Sequence, residues 1–195
     1  MLLCAIWLYF IGSCIIPESN HIEPDYYLLN LPHVDQNQSK HIHSTEVSFY
    51  IREIELPQYL KSNRLIQKSS MEVVKFRDYK RWGEPLPDGI SRVLGSSLSQ
   101  KLGTLQYSSF PNRRRNNCQY EISVSVLAFE KTFTDQALLE TNIEVKSQDG
   151  LVRRENFKSM ILIEGTEVAS EVRALSSCID KLSDRVVEIV TSFKE

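Results

Sequence analysis

Tyr120-Glu121-Ile122-Ser123-Val124-Ser125-Val126 and Leu139-Glu140-Thr141-Asn142-Ile143-Glu144-Val145-Lys146 alternate strictly. Tyr120, Ile122, Val124 and Val126 occupy one phase of the first stretch, and Leu139, Thr141, Ile143 and Val145 one phase of the second. A period of two puts successive side chains on opposite faces, so each stretch predicts a half-buried strand. Gln148-Asp149-Gly150 follows and predicts a hairpin into a third strand, from about Val152 to Ile163. After it the period changes. Val168, Val172, Leu175, Ile179, Leu182, Val186, Ile189 and Phe193 recur four and three apart, which predicts a long amphipathic helix started by Gly165-Thr166, with Thr166 as N-cap. Such a stripe is either a coiled-coil seam or, more commonly, a face packed on the domain's own sheet.

Upstream, the same reading gives shorter elements. Asp25-Tyr26-Tyr27-Leu28-Leu29 is of strand type, and residues 30–44 read as a polar loop. Val47, Phe49 and Ile51 alternate with Glu46, Ser48 and Tyr50, a further half-buried strand. Pro57 cannot continue a ladder, so Leu56-Pro57-Gln58-Tyr59-Leu60 is a turn anchored by Leu56, Tyr59 and Leu60. Arg64–Gln67 and Met71–Phe76 form a hairpin around Lys68-Ser69-Ser70, and Trp82-Gly83-Glu84-Pro85-Leu86 a loop with an aromatic anchor. Asp88 caps a helix whose apolar positions are Ile90, Val93, Leu94, Leu98 and Leu102, with Gly103 just past its end. Leu105 and Tyr107 start another short strand. The expected fold is α+β in two layers: a mainly antiparallel sheet with two amphipathic helices packed on one face.

The amino terminus carries a different signal. Residues 1–13 contain no charged side chain, and Ile11-Gly12-Ser13-Cys14 ends the apolar opening in a cysteine preceded by two small residues. This reads as a bacterial lipobox, with cleavage before Cys14 and lipid on Cys14. The apolar run ends at Pro17, short of the roughly 18–20 residues that span a bilayer. The leader lacks the usual early basic residue, since the first one is Lys40, and an uncleaved buried helix or short signal anchor is the other reading. The organisation expected is a signal peptide over 1–13, a lipidated cysteine and tether over 14–25, and a single domain over 26–195.

Composition excludes some classes. The chain has 23 basic and 25 acidic residues and a formal charge of −2, a balance without a nucleic-acid footprint. It contains no G-x-S-x-G elbow, P-loop, H-E-x-x-H or dinucleotide fingerprint, and so offers no support for an enzyme or for a cofactor. His21, His33, His41 and His43 lack a third and fourth ligand at zinc spacing and read as solvated loop histidines, leaving no metal site. Cys118 and Cys178 could pair in an oxidising compartment, although Cys178 falls between Leu175 and Leu182, where a cysteine also serves as apolar filler. Arg113-Arg114-Arg115 is a basic loop that either meets a partner or anionic lipid or is simply solvated. Trp82 is either a lid on the core or an interface anchor.

The ordered set of lipobox, Tyr26-Tyr27-Leu28-Leu29, Leu56-Pro57-Gln58-Tyr59-Leu60, Trp82-Gly83-Glu84-Pro85-Leu86, Val93-Leu94 with Leu98 and Leu102, and Val124 to Glu130 resembles the ABC-type transport auxiliary lipoproteins of the paraquat-inducible protein C (PqiC/YmbA-like) family. The resemblance spans the whole mature chain. It implies a non-enzymatic envelope lipoprotein that partners a mammalian-cell-entry (MCE) domain protein of an ABC transporter moving lipids or apolar compounds between membranes. It further implies anchoring in the outer membrane facing the periplasm, a docking role, and assembly as a homo-oligomeric ring. Ile15 stands where an inner-membrane retention signal would place Asp. The alternative is a periplasmic lipid or small-molecule carrier with an apolar pocket.

Overall fold

The computed structural model describes residues 22–31, 47–113 and 118–193. Along these the chain forms β1 (Asp25–Tyr27), β2 (Phe49–Ile51), a 3-10 turn (Gln58–Lys61), β3 (Arg64–Lys68), β4 (Val74–Trp82), α1 (Leu86–Leu102), β5 (Tyr107–Ser109), β6 (Tyr120–Lys131), β7 (Gln136–Ser147), β8 (Val152–Leu162) and α2 (Val168–Thr191). All eight strands belong to one sheet. The β6–β7–β8 meander is antiparallel throughout, as the alternation and the Gln148-Asp149-Gly150 turn predict. Gly150 supplies the positive φ, 85°, that this turn needs.

The sheet is more mixed than the sequence suggests. β1 pairs parallel with β4, β2 parallel with both β5 and β6, and β3 meets β6 in parallel at Gln67 and Lys131. Each of these pairings joins segments distant in sequence, and no local turn signal can announce them. β4 is also longer than expected. It starts at Val74 after a turn through Ser69–Val73 and continues to Trp82, so Met71 lies in the turn and Trp82 ends a strand rather than sitting in a loop.

The helix stripe packs on the chain's own sheet. Val172, Leu175, Ile179, Leu182, Val186 and Ile189 are buried, and α2 lies along β7 and β8 with α1 against it. Two predicted caps are corrected. Pro85 is the N-cap of α1 and Glu167 that of α2, neither with a side-chain bond, so Asp88 sits in the first turn and Thr166 outside the helix. Pro87, which needs no N–H partner in the first turn, lets α1 begin early. Gly103 does end α1 in the left-handed region, with φ 63°, and the N–H groups of Gly103 and Thr104 donate to the carbonyls of Gln100 and Ser99. Arg77 of β4 and Glu171 of α2 form an ion pair between sheet and helix, and burial still raises the Glu171 carboxyl pKa against the lowering by Arg77.

One irregularity decides which face the far end of β6 presents. The β6–β7 register shifts between Val126 and Ala128, a β-bulge. Past it the inward phase moves from even to odd numbers: Phe129 opposes Leu139 in the core and Glu130 turns to the other face.

Candidate functional site

The bulge supplies the anchor for a groove. Glu130 lies on the sheet face away from α2, yet its side chain is 0% exposed because the 3-10 turn covers it. Its Oε2 accepts a hydrogen bond from the Tyr59 hydroxyl at 2.7 Å, and Lys68 Nζ lies 3.4 Å from Oε1. Burial and then the neighbouring carboxylate raise the Tyr59 phenol pKa, so this hydroxyl stays a donor. Leu60 completes the attachment, fully buried in the core. The segment before it is held by backbone: Arg52 and Glu55 N–H groups donate to Ile122 and Val124 carbonyls, and Val126 N–H donates to Glu55 O. A stretch with a proline and little regular structure is therefore fixed across the sheet.

This segment and the β4–α1 turn form the two walls of an open groove of about 800 Å3. Ile54, Leu56, Trp82, Pro85, Leu86 and Pro87 give it apolar surface, and Tyr26 stands at its edge. Lys61, Glu53 and Glu55 supply charge. Gly83 sits where its N–H can donate to Tyr27 O, and a Cβ there would come within 3.2 Å of the Leu28 side chain, which ties the β1 wall to the turn. Glu84 is held by Arg92, whose guanidinium also donates to Leu29 O at 2.7 Å. Glu53 and Glu55 also border a second cleft, about 620 Å3, over the polar face of β6, β7 and β8. They form a ridge between the two concavities.

The residues singled out in the sequence divide sharply. Tyr26, Leu56 and the Trp82–Leu86 turn, which are far apart along the chain, meet in the groove. Trp82 itself is only 7% exposed and stacks on Phe129 at 6.3 Å between ring centroids. It is a core lid that shapes the groove floor, and not an exposed partner anchor. Arg113 is exposed at the start of the basic loop, while Arg114 and Arg115 lie outside the described residues. Cys14 and the four histidines, His21, His33, His41 and His43, also lie outside them.

Cys118 and Cys178 are both buried thiols, and no disulfide joins them. Cys118 contacts the Tyr120 carbonyl at one end of β6, whereas Cys178 faces the Ala137 carbonyl, opposite Lys131 at the other end. Ten or so strand residues separate those ends, about 33 Å, against the 7 Å or less that bridged Cα atoms require. Burial pushes the Cys178 thiol up to about 11, which keeps it protonated and inert. Sequence reading missed Glu130 and Lys68 as a pair; the one signal available was a carboxylate in an otherwise apolar strand end, Ala128-Phe129-Glu130.

Comparison with known proteins agrees with this architecture. Residues 27–187 match the family model described as the ABC-type transport auxiliary lipoprotein component. No curated protein matches the chain by sequence. Among solved structures the chain is similar to a crystal structure of an uncharacterized protein, with a TM-score of 0.72, 15% identity, and coverage of 86% of this chain and 99% of that one. It is also similar to a Xanthomonas campestris protein of the DUF330 family, with a TM-score of 0.62, 13% identity, and coverage of 85% and 91%. At such identities the likeness concerns the fold alone. Among the described residues no helix is long and apolar enough to cross a membrane.

Proposed function

The chain belongs to the ABC-type transport auxiliary lipoprotein family, and from that premise we propose that it is a membrane-tethered docking component of an MCE-type ABC system that moves lipids or apolar compounds between the two membranes. Cys14 carries the lipid, residues 14–25 are the tether, and Ile15 directs the protein to the outer membrane, facing the periplasm. The observation that carries the docking role is the convergence of Tyr26, Leu56 and the Trp82–Leu86 turn on one open groove whose wall is locked by the buried Tyr59–Glu130 bond. A rigid, half-apolar groove with a charged rim suits an extended protein segment better than a reacting small molecule. The MCE-domain protein, which reaches across the periplasm, is the partner this reading supplies, and a ring of copies would present several such grooves to it.

The test is affinity recovery from membranes with the full lipidated chain as bait. The MCE protein or permease should be recovered, and a variant carrying Tyr26→Ser, Glu53→Lys and Glu55→Lys should lose that recovery with its melting temperature unchanged. Recovery of neither component, or equal recovery by the groove variant, counts against docking. A carrier role is the second reading, favoured by the groove's volume; it requires lipid to co-purify with the protein, which mass spectrometry of extracted protein would detect. Cys14→Ser should release the protein from membranes without unfolding it, and unchanged fractionation would refute the anchor.

A further inference from the structure

Two adjacent hairpin turns and the end of β8 present exposed apolar side chains at one end of the sheet. β3 and β6 meet at Gln67 and Lys131, so the Ser69–Val73 turn and the turn following Lys131 leave the sheet side by side. Met71 is 76% exposed in the first and Phe133 54% exposed in the second, with Val73 also exposed. β8 ends beside them, since Leu162 pairs with Gln136, and Leu162 is 64% exposed with Met160 exposed on the same face. The charges just behind this crown are largely compensated: Lys131 bonds Asp135 at 2.7 Å and Lys68 pairs with Glu130. Glu72, in contact with the Ser70 hydroxyl, is the acidic residue of the first turn.

The direction of β1 says what this end faces. β1 runs parallel to β4, so its Asp25 end is the one directed toward Val74, the end that carries the crown. Asp25 lies opposite Lys80, six strand residues from Val74, about 20 Å. Cys14 precedes Asp25 by eleven residues, a reach of up to about 38 Å when extended. The tether is therefore long enough for the crown to meet the surface where the lipid inserts.

We propose that the crown formed by Met71, Val73, Phe133, Met160 and Leu162 is a second membrane contact, which dips into the periplasm-facing headgroup layer of the bilayer beside the lipid anchor. This rests on the reading that Cys14 is lipidated. One acyl anchor alone fixes position but not orientation. Apolar tips that enter the headgroup–acyl boundary, about 5–10 Å deep, would fix which way the domain stands. The groove at the Trp82 end of β4 would then lie at the end far from the bilayer, within reach of a partner arriving across the periplasm.

The test uses the full lipidated chain in phosphatidylethanolamine–phosphatidylglycerol vesicles. Met71→Cys, Phe133→Cys and, at the opposite end of the sheet, Leu151→Cys are each labelled with an environment-sensitive fluorophore, which the buried Cys118 and Cys178 do not compete for. Emission at 71 and 133 should shift to shorter wavelength on vesicles and lose intensity with acyl-chain quenchers, while emission at 151 stays that of water. Wild-type hydrogen exchange should slow at 69–73 and 132–135 on the same vesicles. Vesicle-bound protein with water-like signals at 71 and 133, or with position 151 equally shifted, overturns the proposal. Sedimentation reads the anchor separately: protein that stays in the supernatant refutes lipid anchoring itself, and the second contact falls with it.

Discussion

Replacing Tyr59 by Phe removes one oxygen and leaves the ring, so the cost is that of one hydrogen bond to a buried carboxylate. Glu130 has no exposed side-chain surface, and Tyr59 donates to its Oε2 at 2.7 Å. Among the described residues its other oxygen has Lys68, at 3.4 Å, as its one ionic partner. A bond to a charged group contributes about 1.5–3 kcal/mol, and a carboxylate with no exposed surface has no solvent contact to offset its loss. For a domain of this size that corresponds to a fall in melting temperature of roughly 3–12 °C. Glu130→Gln alone should also destabilise, through loss of the Lys68 pair. The double variant Tyr59→Phe with Glu130→Leu should recover part of the loss, because removing both polar partners is far cheaper than stranding one. Urea unfolding followed by circular dichroism, in a full double-mutant cycle, supplies the numbers. A Tyr59→Phe variant within about 0.5 kcal/mol of wild type, or a coupling near zero, would refute the argument that this bond locks the groove wall.

Three other outcomes follow from the same structure. Cys118 and Cys178 should resist alkylation in the native protein and both react in denaturant, as read by peptide mass mapping; a linked 118–178 peptide would refute their separation at opposite ends of β6. Arg185 grips Glu155 with two bonds of 2.7 and 2.6 Å, and this hydrogen bonding holds the carboxyl pKa below its usual value. The stabilisation is thus present above the unfolded value of 4.5 and lost as pH falls through the lower folded value. Both side chains are more than a third exposed, so Glu155→Gln should cost only about 0.2–1 kcal/mol at pH 7 and nothing in strong acid, by thermal melts across pH. Gly95→Ala should destabilise by about 1–3 kcal/mol despite alanine's better helix propensity, because its Cβ would come within 2.9 Å of Tyr107 and 3.4 Å of Ile51; an equal or higher melting temperature would show that Tyr107 moves aside freely.

The sequence alone determined the β6–β7–β8 meander, the α2 stripe, the Gly103 stop and the class of the fold, because each is written in residues close along the chain. Period two, period 3.6 and a glycine at a turn are local signals, and local geometry obeys them. Tertiary structure alone decided the parallel pairings of β1, β2, β3 and β5, the caps of both helices and the separation of Cys118 from Cys178. It also decided the groove. The motif segments around Tyr26, Leu56 and Trp82 were visible as motifs, but what unites them is a surface assembled by contacts between distant segments. The bulge at Val126–Ala128 shows why: one extra residue reverses the facing of every side chain after it, hides Phe129 under Trp82 and delivers Glu130 to Tyr59. Alternation in a sequence states that two faces exist. Only the register with a neighbouring strand states which face a given residue takes.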